Sequence, residues 1–247
     1  MSVSFFQKVV RKFNKIRFAP IRVFCFHHVS AEYDSLRMWK SDWTQLDQFK
    51  ETLLLLKKEY EFISLSEAYG HIKSDWFRKK NYAVLTSDDG YASLKCIIPW
   101  LEEQNIPLTL FLNAKYLDGK SLSLFCEEKA MEMNVSIGDV VKGLYLTEDD
   151  INSLTNGNVE IASHGYEHYC ATEMPLNEFE KDIQKNVNRI KNHQCFTPFH
   201  AYTWGEHNSE TDMVLLKYNL IPVLIDGMKN YNEASMIHRE LLDGLTL

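Results

Sequence analysis

The chain has 247 residues, of which 45% are hydrophobic, 13% aromatic and 25% charged. This is ordinary globular composition, and it excludes a disordered, collagen-like or low-complexity scaffold. With 27 basic and 34 acidic residues the formal net charge is −7, which argues against general nucleic-acid binding, because phosphate contacts need clustered cations.

The first eighteen residues stand apart. They carry Lys8, Arg11, Lys12, Lys15 and Arg17 with no acid, while Phe5, Phe6, Val9, Val10, Phe13 and Ile16 recur at helical spacing. The pattern predicts a basic amphipathic helix over 1–18, either docked on the domain or lying on an anionic membrane surface. No continuous apolar core followed by a small-residue cleavage site is visible, so a secretory signal is not predicted. No apolar run is long enough to span a bilayer. The cysteines are Cys25, Cys96, Cys126, Cys170 and Cys195, an odd number without a CxxC pair. A disulfide framework is therefore not expected, and the cytoplasm is, with membrane association only if the head is interfacial. Residues 19–247 read as one domain, without repeat, linker or composition break. Nothing in the sequence sets an oligomeric state.

The elements follow in chain order. Residues 21–26 form a short apolar run and a predicted strand. Residues 44–58 look helical, with Thr44 as N-cap. Residues 61–65 form a strand, and Ser66 can cap the next helix. Residues 82–87 form a strand that runs into Asp88-Asp89-Gly90. A helix over 92–104 and a strand over 108–112 come next. Residues 113–146 fit the alternation worst and are expected to be an excursion over one face. A short helix over 147–155 has Thr147 as cap and Asp150 at the capping-box position. Then come a strand over 159–163, a long amphipathic helix over 176–192, and strands over 196–202 and 220–225 with a helix between them. This alternation predicts an α/β fold of parallel βαβ units.

Polar residues that end buried strands point into the mouth of such a fold. Three places qualify: His27-His28, Asp88-Asp89-Gly90, and the segment from Ser163 to His168. Two adjacent carboxylates repel, so a cation is a natural partner for one of them. His164 and His168 are four apart, a spacing that on a helical turn lets both imidazoles share a metal. Together these supply one carboxylate and two imidazoles with open positions, the donor set of a catalytic metal centre. The remaining carboxylate is free to act as a base. Two imidazoles and a carboxylate suit Zn2+, with Co2+, Ni2+ or Fe2+ as alternatives.

These residues resemble a family. Leu85-Thr86-Ser87-Asp88-Asp89-Gly90 resembles the T-F-D-D-G motif of the polysaccharide deacetylases, the NodB-like carbohydrate esterase family four. Ser163-His164-Gly165-Tyr166-Glu167-His168 resembles its H-[ST]-x-x-H motif. Phe26-His27-His28-Val29 resembles the Y-H-x-V start of one branch, and Ala201-Tyr202-Thr203-Trp204-Gly205 followed by Asn208 resembles that branch's A-Y-P-Y-G-x-x-N segment. The resemblance spans roughly residues 21–240.

It implies a distorted (β/α)7-type barrel and removal of N-acetyl groups from an amino sugar or glycan intermediate. By motif, Asp89, His164 and His168 would hold the metal and Asp88 would be the general base for the attacking water. His27 would be the general acid, with His238, in a faint L-x-H match, as the rival. The oxyanion and substrate side would fall to Trp204, through its backbone N–H, with Tyr202 and Gly205. Ser87 and Thr203 depart from the family's Phe and Pro. The arginine that orients the base in many members is missing at its matching place, which is Ala201. The alternatives are a deformylase or other small-amide hydrolase on the same centre, or a catalytically silent carbohydrate-binding domain.

Overall fold

The computed structural model describes residues 20–74, 80–154, 158–231 and 234–243. The helix expected over 1–18 lies outside them. The strands, numbered in chain order, are β1 (Arg22–Phe26), β2 (His28–Ser30), β3 (Trp43–Gln45), β4 (Glu61–Phe62), β5 (Tyr82–Ser87), β6 (Leu108–Leu112), β7 (Val159–Ser163), β8 (Phe196–Ala201), β9 (Ile221–Ile225) and β10 (Ile237–Leu241). The α-helices are α1 (Leu46–Leu56), α2 (Leu65–Ser74), α3 (Ile98–Glu103), α4 (Leu124–Met133), α5 (Ile137–Val141), α6 (Glu148–Ser153), α7 (Leu176–Ile190) and α8 (Ser209–Lys217). Among the described residues no helix is long and apolar enough to cross a membrane.

Seven parallel strands close on themselves in the order β1-β5-β6-β7-β8-β9-β10 and back to β1. The expected (β/α)7-type barrel is therefore present. The two-residue β4 pairs with the start of β5, and β2 and β3 form a separate small sheet.

Side-chain alternation along the strands builds two cores. Phe24, Phe26, Leu85, Leu108, Leu110, Leu112 and Ile161 face outward and pack under Phe49 and Leu53 of α1, Leu101 of α3 and Ile190 of α7. The other parity faces the barrel axis: Val23, Val84, Phe111, Ala162, Val223 and Ile237. Leu65, Ala68 and Ile72 of α2 join this inner set. The helix thus plugs the end of the barrel where the strands begin. Its first N–H groups, from Leu65 and Ser66, donate to the carboxylate of Glu160 on β7, so a negative charge sits at the positive end of the helix.

Several local expectations need correction. The cap of α1 is Gln45, directly before Leu46, and its side chain accepts from the N–H groups of Asp47 and Gln48. Ser64 rather than Ser66 accepts from the Glu67 N–H at the start of α2. The helix expected over 92–104 is a 3-10 turn, Ala92–Cys96, followed by α3. The Thr147–Asp150 capping box is present. The 113–146 excursion is real, and it carries α4 and α5.

Candidate active site

Strand parity carries over directly into the site. Each inward position is followed two residues later by another, so Cys25 leads to His27, Thr86 to Asp88, Ala162 to His164, Val223 to Ile225, and Ile237 to Arg239 and then Leu241. These side chains meet where the strands end. His27, Asp88, Asp89, His164, His168, Tyr202, Trp204, Ile225 and Leu241 line one cavity of about 370 Å3.

Asp89 breaks the parity. Its φ of +66° turns the chain sharply, and Gly90 follows at +68°. The positive φ favours glycine there, and a Cβ would also lie 2.8 Å from Leu112 Cδ2, which would have to shift. The turn aims Asp89 Oδ1 at the two histidines, 3.4 Å from His164 Nε2 and 3.0 Å from His168 Nε2. Their ligand atoms lie within 4.8 Å of one another. Asp89 Oδ1 is buried and has no hydrogen-bond donor. His164 Nδ1 donates to the carbonyl of Ala201 at 2.8 Å, which leaves the Nε2 lone pair facing the cluster. A buried oxygen without a donor and an imidazole held in its ligating tautomer fit a divalent cation. Burial opposes charge on Asp89, but the adjacent His168 outweighs it and holds the carboxyl well below the usual range.

The HxxxH spacing does not work through a helix. His164 follows the end of β7 and His168 lies in a loop at φ +60°. Side chains clamp that loop. Asn113 donates to the carbonyls of His164 and Gly165, and Asp182 of α7 accepts from the N–H groups of Tyr166 and Glu167.

Asp88 is 3% exposed and is gripped by Arg239, itself fully buried. Nη1 donates to Oδ1 at 2.6 Å and Nη2 to Oδ2 at 2.8 Å. Burial pushes the Asp88 carboxyl up, yet Arg239 overcomes this and holds it down at about 2. An arginine absent from Ala201, the place where the family motif would put one, thus reaches Asp88 from β10 instead.

Across the cavity, His27 Nδ1 donates to Asp243 Oδ2 at 2.6 Å, and the His27 backbone N–H donates to Oδ1. Burial lowers the His27 pKa, but the bond to Asp243 reverses the balance and raises it to about 10. His238 does not line the cavity; its Nδ1 is bonded to Asp226. His28 is buried against Tyr91 with centroids 3.7 Å apart, and His200 is bonded to Ser163. Trp204 stands at φ +61° on a 3-10 turn, 72% exposed, with its ring 5.4 Å from that of His168. Gly205 follows at φ +74°, where a Cβ would meet Ile225 at 3.0 Å. The Tyr202 hydroxyl donates to Asp212.

The profile of the polysaccharide deacetylases matches residues 77–222. The chain belongs to the polysaccharide deacetylase family. Membership supports a carbohydrate deacetylase, hence a hydrolase. Solved structures agree on the fold. IcaB from Ammonifex degensii is 18% identical, with a TM-score of 0.73 over 92% of this chain and 93% of that one. The Streptococcus pyogenes deacetylase PplD is 16% identical, with a TM-score of 0.71 over 91% and 92%. The de-N-acetylase from Aggregatibacter actinomycetemcomitans is 16% identical, with a TM-score of 0.71 over 92% and 96%. No curated protein matches the chain.

Proposed function

We propose that this protein is a metal-dependent hydrolase that removes N-acetyl groups from an amino sugar in a glycan or glycan intermediate. The observation that carries this reading is the convergence of Asp89, His164 and His168 beside an arginine-held Asp88, with His27 lining the same cavity. A divalent transition metal, Zn2+ by the donor set, held by Asp89 Oδ1, His164 Nε2 and His168 Nε2, would supply Lewis acidity at the amide carbonyl.

The chain's own groups do the rest. Asp88 is kept ionised by Arg239 and accepts a proton from the attacking water. Oxygen adds to the carbonyl carbon, and the Trp204 backbone N–H helps to balance the developing charge. His27, protonated and oriented by Asp243, gives its proton to the sugar nitrogen as the C–N bond breaks. The products are acetate and the free amine.

The test is elemental analysis of purified protein together with an acetate and formate assay on N-acetylated and N-formylated amino sugars. Near-stoichiometric metal and acetate release are expected. Formate alone would assign the alternative amide. Absence of both metal and release would reject the reading.

A further inference from the structure

The two histidines of the cluster are held in different ways. His164 Nδ1 donates to the carbonyl of Ala201, and that bond fixes the ring itself. A metal-binding imidazole almost always has such a bond on its other nitrogen. Among the described residues His168 has none: beyond its contact with Asp89, its ring meets only the rings of His164 and Trp204. The aim of His168 Nε2 is therefore set by its backbone, which turns at φ +60° in a loop.

Side chains hold the backbone groups of that loop on both sides of His168. Asn113 spends both amide hydrogens on the carbonyls of His164 and Gly165. The Tyr116 hydroxyl donates to the Glu167 carbonyl at 3.1 Å, and the Thr203 hydroxyl donates to that of Tyr169. The N–H groups of Tyr166 and Glu167 share one acceptor, the carboxylate of Asp182, at 2.6 and 3.0 Å. The approach is close, since a Cβ on Gly165, at φ +78°, would lie 3.0 Å from Asp182 Oδ2.

Asp182 belongs to α7, which gives no side chain to the cavity. Phe179, Ile183 and Ile190 of this helix pack into the cores. Beside them Asp182 and Asn186, four apart, form a polar stripe on the same side. Asn186 is fully buried, and its amide is used up: it donates to Leu112 O and Ser163 Oγ and accepts from the Ala114 N–H. These bonds fix the helix to the ends of β6 and β7. Buried polar groups are costly unless bonded. Here the bonds all go to the segments that carry the site.

We propose that Asp182 is a positioning residue of the metal centre: from α7 it holds the loop between His164 and His168 in the shape that aims His168 Nε2 at Asp89, and it thereby sets the affinity for the metal. The proposal rests on the metal-dependent reading of the site.

The experiment compares full-length wild-type and Asp182→Asn proteins, stripped of metal and titrated with Zn2+ against a chromophoric chelator. Asparagine keeps the size of the side chain but offers one acceptor where two N–H groups need one each. Zn2+ affinity is expected to fall by about 10–100-fold, the usual effect of removing a partner behind the ligands. The visible spectrum of the Co2+-loaded variant should shift, because it follows ligand geometry. If Asp182 only anchors α7, the metal-free variant is less stable in urea while Zn2+ affinity and the Co2+ spectrum stay as in the wild type, and that result overturns the proposal. Hydrogen exchange on metal-free wild-type protein gives a test that needs no variant. The amides of Tyr166 and Glu167 should be protected; exchange as fast as in an unfolded chain overturns the proposal. Wild-type protein that binds no Zn2+ rejects the metal reading and this proposal with it. Zn2+ binding that is equal in the two proteins rejects this proposal alone.

Discussion

At the lower end of the barrel, α2 inserts Leu65, Ala68 and Ile72 among Val23, Val84 and Ile237, and each of these side chains is at most 1% exposed. At the upper end, the inward positions that follow on the same strands are His27, Asp88 and Arg239. The lower end is apolar, capped and relaxed. The upper end holds buried charges and strained backbone. Among the described residues, six other than glycine have positive φ: three are asparagines, which tolerate it, and the other three are Asp89, His168 and Trp204. All three line the cavity. Close packing at one end of each strand gives the rigidity that holds strained polar geometry at the other.

Substitutions at the two ends should therefore fail in different currencies. The largest effect is expected at the upper end. His164→Ala should abolish acetate release and strip the metal while the fold survives, because three ligands leave none to spare. Metal content and circular dichroism on one sample check this.

Next is Arg239→Met. It leaves the Asp88 carboxylate buried without its partner and should cost about 3–5 kcal/mol in urea unfolding. The cost should shrink markedly in an Asp88→Asn background, since the two groups share one interaction. Equal costs in both backgrounds would show that Arg239 acts through packing alone.

At the lower end, Ile72→Ala should cost about 2–5 kcal/mol of stability. Metal content and kcat should stay unchanged. A loss of metal here would show that the two ends are not separable.

The smallest effect is a shift in pH dependence. A general acid must be protonated, and His27 is held protonated up to about pH 10 by Asp243. Asp243→Asn removes the charge that raises it. The alkaline limb of kcat/KM should then move to lower pH by at least about one unit. An unmoved limb would take the acid role away from His27.

Much of the upper end was legible because apolar runs announce their strands. β5, β6 and β7 occupy the expected ranges, and the polar residues after β5 and β7 fall inside the barrel mouth as alternation requires. What sequence missed lies on or just after β10. Its stretch Ile237-His238-Arg239-Glu240-Leu241 has no apolar run, because Glu240 pairs with Arg22 outside while Arg239 pairs with Asp88 inside. A strand whose polar side chains are satisfied by partners elsewhere in the chain carries no hydrophobic signature. Asp243 was hidden for a related reason: only folding brings it to His27, 216 positions away. The HxxxH spacing marks the pair, but no helical turn joins the two histidines. A strand end and a loop at φ +60° bring the two rings together instead.

The most direct test concerns the two neighbouring carboxylates. Asp88 faces Arg239 and Asp89 faces the histidines, so they should fail in different ways. Purified Asp88→Asn and Asp89→Asn proteins are compared for metal content and acetate release. Asp88→Asn should keep near-stoichiometric metal and lose activity by about 10²–10⁴-fold, the usual range for a general base. Asp89→Asn should lose the metal. Near-native turnover by Asp88→Asn, or full metal content in Asp89→Asn, would contradict the account.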